Sequence, residues 1–97
     1  MATANPPRVL LVDDEEDILL SIRFLLENDL GAHVTALSSP REALERLDCS
    51  YDLVLTDQRM PGMQGVELIR QALRKCPDLP CVLFTAYQDV DLSLIHI

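Results

Sequence analysis

Three carboxylates and one hydroxyl stand at the ends of short apolar runs, and that position is what gives them chemical interest. Asp13 and Asp14 follow Val9-Leu10-Leu11-Val12, Asp57 comes just after Leu53-Val54-Leu55, and Thr85 follows Cys81-Val82-Leu83-Phe84. If these runs are strands of one parallel sheet, all four residues leave it along the same edge, where open sheets of this kind hold their ligands. Three carboxylates gathered there repel one another, so at neutral pH one holds a proton unless a cation lies among them. Oxygen-only donors suit a hard divalent ion such as Mg²⁺, which takes one or two carboxylates and leaves its other positions to water and phosphate oxygens. A cation so placed draws in a phosphoryl group and lets a carboxylate attack phosphorus, forming an acyl phosphate. These residues by themselves do not single out the attacking aspartate.

Taken one at a time, each has a plainer explanation. Asp13 and Asp14, with Glu15, Glu16 and Asp17, can cap a helix and complement its dipole. Asp57 alone can be a solvated loop residue, and Thr85 with Gln88 fits a capping box. The case for a site rests on the conjunction, because caps have no reason to fall at three particular strand ends.

The elements that must position these groups can be read from the apolar pattern. The four runs, with His33-Val34-Thr35-Ala36 as the second in order, are mostly unbroken rather than alternating, as in strands buried on both faces. Between them Ile18, Ile22, Leu25 and Leu26 set one stripe on a helix from about Glu15 to Asn28. Ala43, Leu44 and Leu47 mark a shorter helix that Pro40 can start, and Val66, Ile69, Ala72 and Leu73 a third that Pro77 stops. Gly31 suits a left-handed exit from the first helix. The order β-α-β-α-β-α-β, with a last segment that begins a fourth helix, implies right-handed crossovers and one parallel sheet covered on both faces.

Composition narrows the function classes. The chain has 97 residues, enough for one domain. Sixteen acidic against eight basic residues give a net charge of −8, which disfavours nucleic acid and anionic membrane as partners. No apolar stretch approaches the ~20 residues of a membrane-spanning helix. The start shows no basic region followed by an apolar one, so a cytoplasmic chain is expected. Cys49, Cys76 and Cys81 are odd in number and lack metal-site spacing, so they are expected as reduced thiols. His33 and His96 suggest no metal site. Among only three glycines there is no nucleotide-binding glycine motif.

The quoted residues resemble a known family. Val9-Leu10-Leu11-Val12-Asp13-Asp14-Glu15 resembles the opening of response-regulator receiver domains, the CheY-like superfamily of two-component signalling. The segment from Asp52 to Gly65, with Thr56-Asp57-Gln58-Arg59-Met60-Pro61-Gly62 at its centre, is similar to that family's phosphoacceptor strand and loop, and Thr85-Ala86 to its switch hydroxyl and following small residue. The resemblance runs from residue 8 to about 91. It implies a flavodoxin-like, doubly wound α/β fold with strand order 2-1-3-4. It also implies that Asp57 is phosphorylated with Mg²⁺ held by Asp14, by Asp13 mainly through water, by Asp57 and by the backbone carbonyl of Arg59. Thr85 would bond a phosphoryl oxygen and report it. The implied partners are a sensor histidine kinase or phosphotransfer protein and an output domain or effector outside this chain, and the chain is not an enzyme in the ordinary sense.

The sequence also departs from the family. The lysine after a fifth strand, that strand itself and the last helix are missing, Lys75 is misplaced for the lysine's job, and Tyr87 lies too early for the aromatic switch residue. Residues 92–97 resemble a translated adapter tail, so the expected organisation is a leader over 1–7, an incomplete receiver over 8–91 and a doubtful, non-native tail. The fourth strand is then an open edge and the chain marginal and prone to associate. Two competing functions are a receiver-like docking module that takes no phosphoryl group, and a phosphohydrolase of the haloacid-dehalogenase type. The latter needs a second aspartate two positions after the first, where Arg59 stands.

Overall fold

Hydrophobic runs that are apolar on both faces become the inner strands of a sheet, and the two most central here are the ones that end in aspartates. The computed structural model describes residues 5–86 and 92–96. Its elements are β1 (Arg8–Val12), α1 (Glu16–Leu30), β2 (His33–Leu37), α2 (Pro40–Arg46), β3 (Leu53–Asp57), α3 (Gly65–Lys75), β4 (Cys81–Ala86) and β5 (Leu92–His96). The sheet order is β2-β1-β3-β4-β5. The four strands β2-β1-β3-β4 are mutually parallel, as the doubly wound reading requires.

Period-2 alternation splits the strand residues between two cores. Leu10, Val12, Val54, Cys81 and Leu83 point to the side covered by α2 and α3, where they meet Ala43, Leu68, Ile69 and Ala72. Leu11 and Phe84 point to the other side and pack on Leu19 of α1, with Ile18, Ile22 and Val34 around them. The helix boundaries follow local signals. Pro40 occupies the first turn of α2, and Ser39 caps it by accepting from Glu42 N–H. Gly31 ends α1 at φ 63°, in the left-handed region that costs glycine nothing.

The structure departs from the sequence-based expectations at the β4 edge and at the cysteines. The edge of β4 is not open, because Leu92–His96 pairs with it antiparallel, Phe84 opposite Leu94 and Val82 opposite His96. Residues read as a doubtful, non-native tail, where no fifth strand was expected, thus form a fifth strand that pairs with β4, and it runs antiparallel to the other four. The cysteines are not all reduced. Cys49 and Cys76 form a disulfide with Cα atoms 5.5 Å apart, joining the segment after α2 to the end of α3, while Cys81 stays free and buried. The pairing spans 27 residues and depends on α2 and α3 lying side by side, which no local spacing reveals.

Lys75 sits at the far end of α3 from Asp57, where its ammonium donates to the Leu44 carbonyl at 3.3 Å. The expected start of a fourth helix, the Gln88 half of the capping box and Tyr87 lie outside the described residues. Among the described residues no helix is long and apolar enough to cross a membrane.

Candidate metal centre

The register of β1 against β3 builds the site. Val12 pairs with Thr56, so the residues that follow Val12 emerge beside Asp57. Asp13, Asp14 and Asp57 each bring a carboxylate oxygen to within 4.8 Å of the others. They line a cleft of about 220 Å³ whose wall also includes Glu15, Arg59 and Phe84. The three carboxylates expected together are together.

Asp13 is fully buried. Its Oδ1 accepts from Glu15 N–H at 2.9 Å, and its Oδ2 has no hydrogen-bond partner among the described residues. A buried carboxylate oxygen without a partner is costly, so a cation or a proton must satisfy it. Burial pushes the Asp13 pKa up from 3.8 to about 6, helped by the charges of Asp57, Asp14 and Glu15 and opposed by the Glu15 N–H. Burial also raises the Asp57 pKa. The backbone N–H groups of Gln58 and Arg59 act against that rise, and the Asp14 and Glu15 charges add to it. An all-oxygen donor set, an orphaned buried oxygen and mutual repulsion fit a hard divalent cation.

The helix-capping alternative for Asp13 fails on geometry. The N-cap of α1 is Glu15, without a side-chain cap bond, and Asp13 reaches only the Glu15 N–H ahead of the helix. Glu16 and Asp17 complement the helix dipole instead. Thr85 belongs to β4, one residue beyond Phe84, which pairs with Asp57. It is 8% exposed, and its hydroxyl has no partner among the described residues. Among those residues Phe84, not Thr85, lines the cleft.

Sequence reasoning passed over Gln58. Its N–H donates to Asp57 Oδ1 at 2.8 Å and to the Phe84 carbonyl at 3.1 Å, while its side chain turns away to the start of α3. Its one signal in the sequence is indirect: Gln64, just before α3, is a poor helix cap, so the first turn needs a donor-satisfying group from elsewhere.

A parallel sheet in the order 2-1-3-4 with strand-end carboxylates over its carboxyl edge defines a doubly wound α/β protein, a fold whose ligand crevice lies at that edge. Residues 9–95 match the model of the response regulator receiver domain, and the chain belongs to that family. It is 37% identical over 89 residues to the C4-dicarboxylate transport transcriptional regulatory protein DctD of Rhizobium meliloti. The match covers 91% of this chain and 19% of DctD, so the chain spans about a fifth of that relative's length. Among solved structures, the response regulator receiver domain protein of Clostridium thermocellum superposes with a TM-score of 0.76 at 36% identity, covering 86% of this chain and 68% of that one. The response regulator protein TrrA of Thermotoga maritima, solved in complex with Mg²⁺ and BeF, gives a TM-score of 0.74 at 32% identity, covering 84% and 71%.

Proposed function

We propose that this receiver domain acts in the cytoplasm, taking a phosphoryl group from the phosphohistidine of a sensor histidine kinase, or of a phosphotransfer protein, onto Asp57. The observation that carries this reading is the half-buried Asp57 carboxylate within 4.8 Å of that of the buried Asp13, whose Oδ2 has no hydrogen-bond partner among the described residues. An Asp57 carboxylate oxygen attacks phosphorus, the phosphorus–nitrogen bond breaks, and the imidazole leaves with its electron pair and takes a proton from water. The Gln58 and Arg59 N–H groups hold the carboxylate in place for attack. Asp13, Asp14, Asp57 and the Arg59 carbonyl are the groups that would hold Mg²⁺, which supplies positive charge against the incoming phosphoryl oxygens. That the similar protein TrrA was solved in complex with Mg²⁺ and BeF supports Mg²⁺ as the cation.

Thr85 reads the product. Its buried hydroxyl, without a partner among the described residues, gains one when a phosphoryl oxygen arrives at Asp57, which favours one arrangement of the β4 end over another. An output domain or effector outside this chain responds to that shift. Receiver and product are one molecule, so the chain does not turn over as an enzyme does. The acidic balance argues against direct contact with nucleic acid.

A second reading is a docking module that takes no phosphoryl group. It is favoured by the position of Lys75, whose ammonium is committed to Leu44 at the end of α3 away from the acidic cleft. One experiment separates the two. The chain is incubated with acetyl phosphate and Mg²⁺ and its mass measured intact. A hydroxylamine-labile phosphoryl adduct that Asp57→Asn abolishes establishes the phosphoacceptor. Mg²⁺ binding with no adduct establishes the docking module, and an adduct that survives Asp57→Asn removes Asp57 from the mechanism.

A further inference from the structure

α3 begins without a cap of its own, since Gln64 at its N-cap makes no side-chain bond to the helix. The cap comes from the residue beside Asp57. Val66 N–H donates to Gln58 Oε1 at 3.0 Å, and Gln58 Nε2 donates to Gln64 Oε1 at 3.3 Å. Gly65 N–H donates to the Gln58 carbonyl at 3.0 Å. These bonds close the loop of residues 59–64 from both ends. Inside that loop, Arg59 sends its N–H to the Asp57 carboxylate, and at its root Gln58 does the same. One amide side chain therefore ties the first turn of α3 to the backbone donors that aim Asp57.

We propose that Gln58 is a positioning residue for the acidic site, its side chain holding the 59–64 loop so that the Asp57 carboxylate and the Arg59 carbonyl stay in register with Asp13 and Asp14. The inference deepens the phosphoacceptor reading and rests on it for the role of Asp57. Its physical basis is general: groups that orient metal-binding carboxylates and their backbone neighbours set affinity almost as strongly as the ligands do. A cap that only stabilised α3 would change melting temperature and nothing else. The two roles therefore differ in what a stability-matched change elsewhere does.

The test compares the full chain with Gln58→Met, which keeps length and removes both side-chain bonds. Gln58→Glu keeps the acceptor facing Val66 N–H. Ser39→Ala removes the side-chain cap of α2, away from the site. Mg²⁺ is titrated calorimetrically into each, and uptake of phosphoryl from acetyl phosphate is timed at saturating Mg²⁺. Gln58→Met is expected to weaken Mg²⁺ binding about tenfold and to slow uptake about tenfold, with Gln58→Glu recovering most of both. Ser39→Ala is expected to lower the melting temperature comparably while leaving both readings unchanged. Unaltered Mg²⁺ affinity in Gln58→Met overturns the proposal, as does equal weakening by Ser39→Ala. The expected ordering of Mg²⁺ affinities in a chain that takes up no phosphoryl group upholds the positioning role and overturns the phosphoacceptor reading instead.

Discussion

Gly65 lies so close to Asp57 that a β-carbon built on it would stand 2.2 Å from the Asp57 carbonyl oxygen and 2.6 Å from Leu83 Cδ1. The first residue of α3 is thus packed directly against the backbone of the residue at the centre of the site. Backbone cannot step aside as a flexible side chain can, so the contact couples helix position to the site's geometry.

Gly65→Ala is therefore expected to cost about 1–3 kcal/mol of stability, the usual range for overpacking. Because the clash is with Asp57 itself, the same substitution is expected to weaken Mg²⁺ binding. Denaturant melts with a parallel Mg²⁺ titration check both. Full stability with unchanged binding would show that α3 shifts freely on the sheet.

Asp13 makes the metal-free chain sensitive to pH. Its folded pKa of about 6 lies above the ordinary 3.8, so folding favours its protonated form. The stability it contributes is fully present below about pH 4 and is lost as the pH rises through 6. Each pH unit between folded and unfolded values is worth about 1.4 kcal/mol, so the loss is on the order of 3 kcal/mol. Asp57, also raised, acts in the same direction. Asp48 and Glu67 have lowered pKa values, through hydrogen bonds from Ser50 and from Gln71, and act oppositely, at lower pH. Melting temperatures measured in chelator from pH 4 to 7 are expected to fall, and Asp13→Asn to flatten the profile.

Mg²⁺ is expected to reverse that loss. A ligand that binds only the folded state adds about 2.7 kcal/mol at a hundred times its Kd. At pH 7 the melting temperature should climb with Mg²⁺ concentration in the native chain and barely move in Asp13→Asn. An equal climb in both would place the ion elsewhere.

Thr85→Val should stabilise the unphosphorylated chain by about 1 kcal/mol, because it removes a buried hydroxyl that has no partner among the described residues. The same change should weaken the proposed response to phosphorylation, because it removes the hydroxyl proposed to meet the phosphoryl oxygen. Chemical melts before and after acetyl phosphate treatment read both effects.

The Cys49–Cys76 bridge closes a loop of 27 residues and is expected to contribute about 2–4 kcal/mol. Reduction, or Cys49→Ser, should lower the melting temperature by roughly 10 °C or more. Scanning calorimetry with and without a thiol reductant tests it. An unchanged transition would mean that the packing of α2 on α3 carries the whole connection.

Much of the fold and of the acidic site is legible in the sequence. Unbroken apolar runs announced the parallel strands, helical spacing with Pro40, Gly31 and Pro77 announced the helices, and carboxylates at the strand ends announced the crevice, because a parallel sheet places all those ends on one edge. The pairing of Leu92–His96 with β4 was not legible. A short apolar run carries no information about its partner, and an antiparallel edge pairing is decided by the free backbone of the strand already in place. Gln58 was equally silent, since a polar residue after a strand looks like any loop residue until a helix eight positions on presents an uncapped N–H.

By itself the sequence determined the family, the four-stranded parallel sheet, its helices and the identity of the three clustered carboxylates, because periodicity and short motifs are local properties of a chain. Only the tertiary structure decided which groups face one another across distance: the disulfide between Cys49 and Cys76, the seating of Gly65 on Asp57, the orphaned oxygen of Asp13 and the clamp of Gln58 on α3. Each depends on the packing of elements far apart in the chain. Burial and unsatisfied polar groups are properties of that packing and of no residue alone.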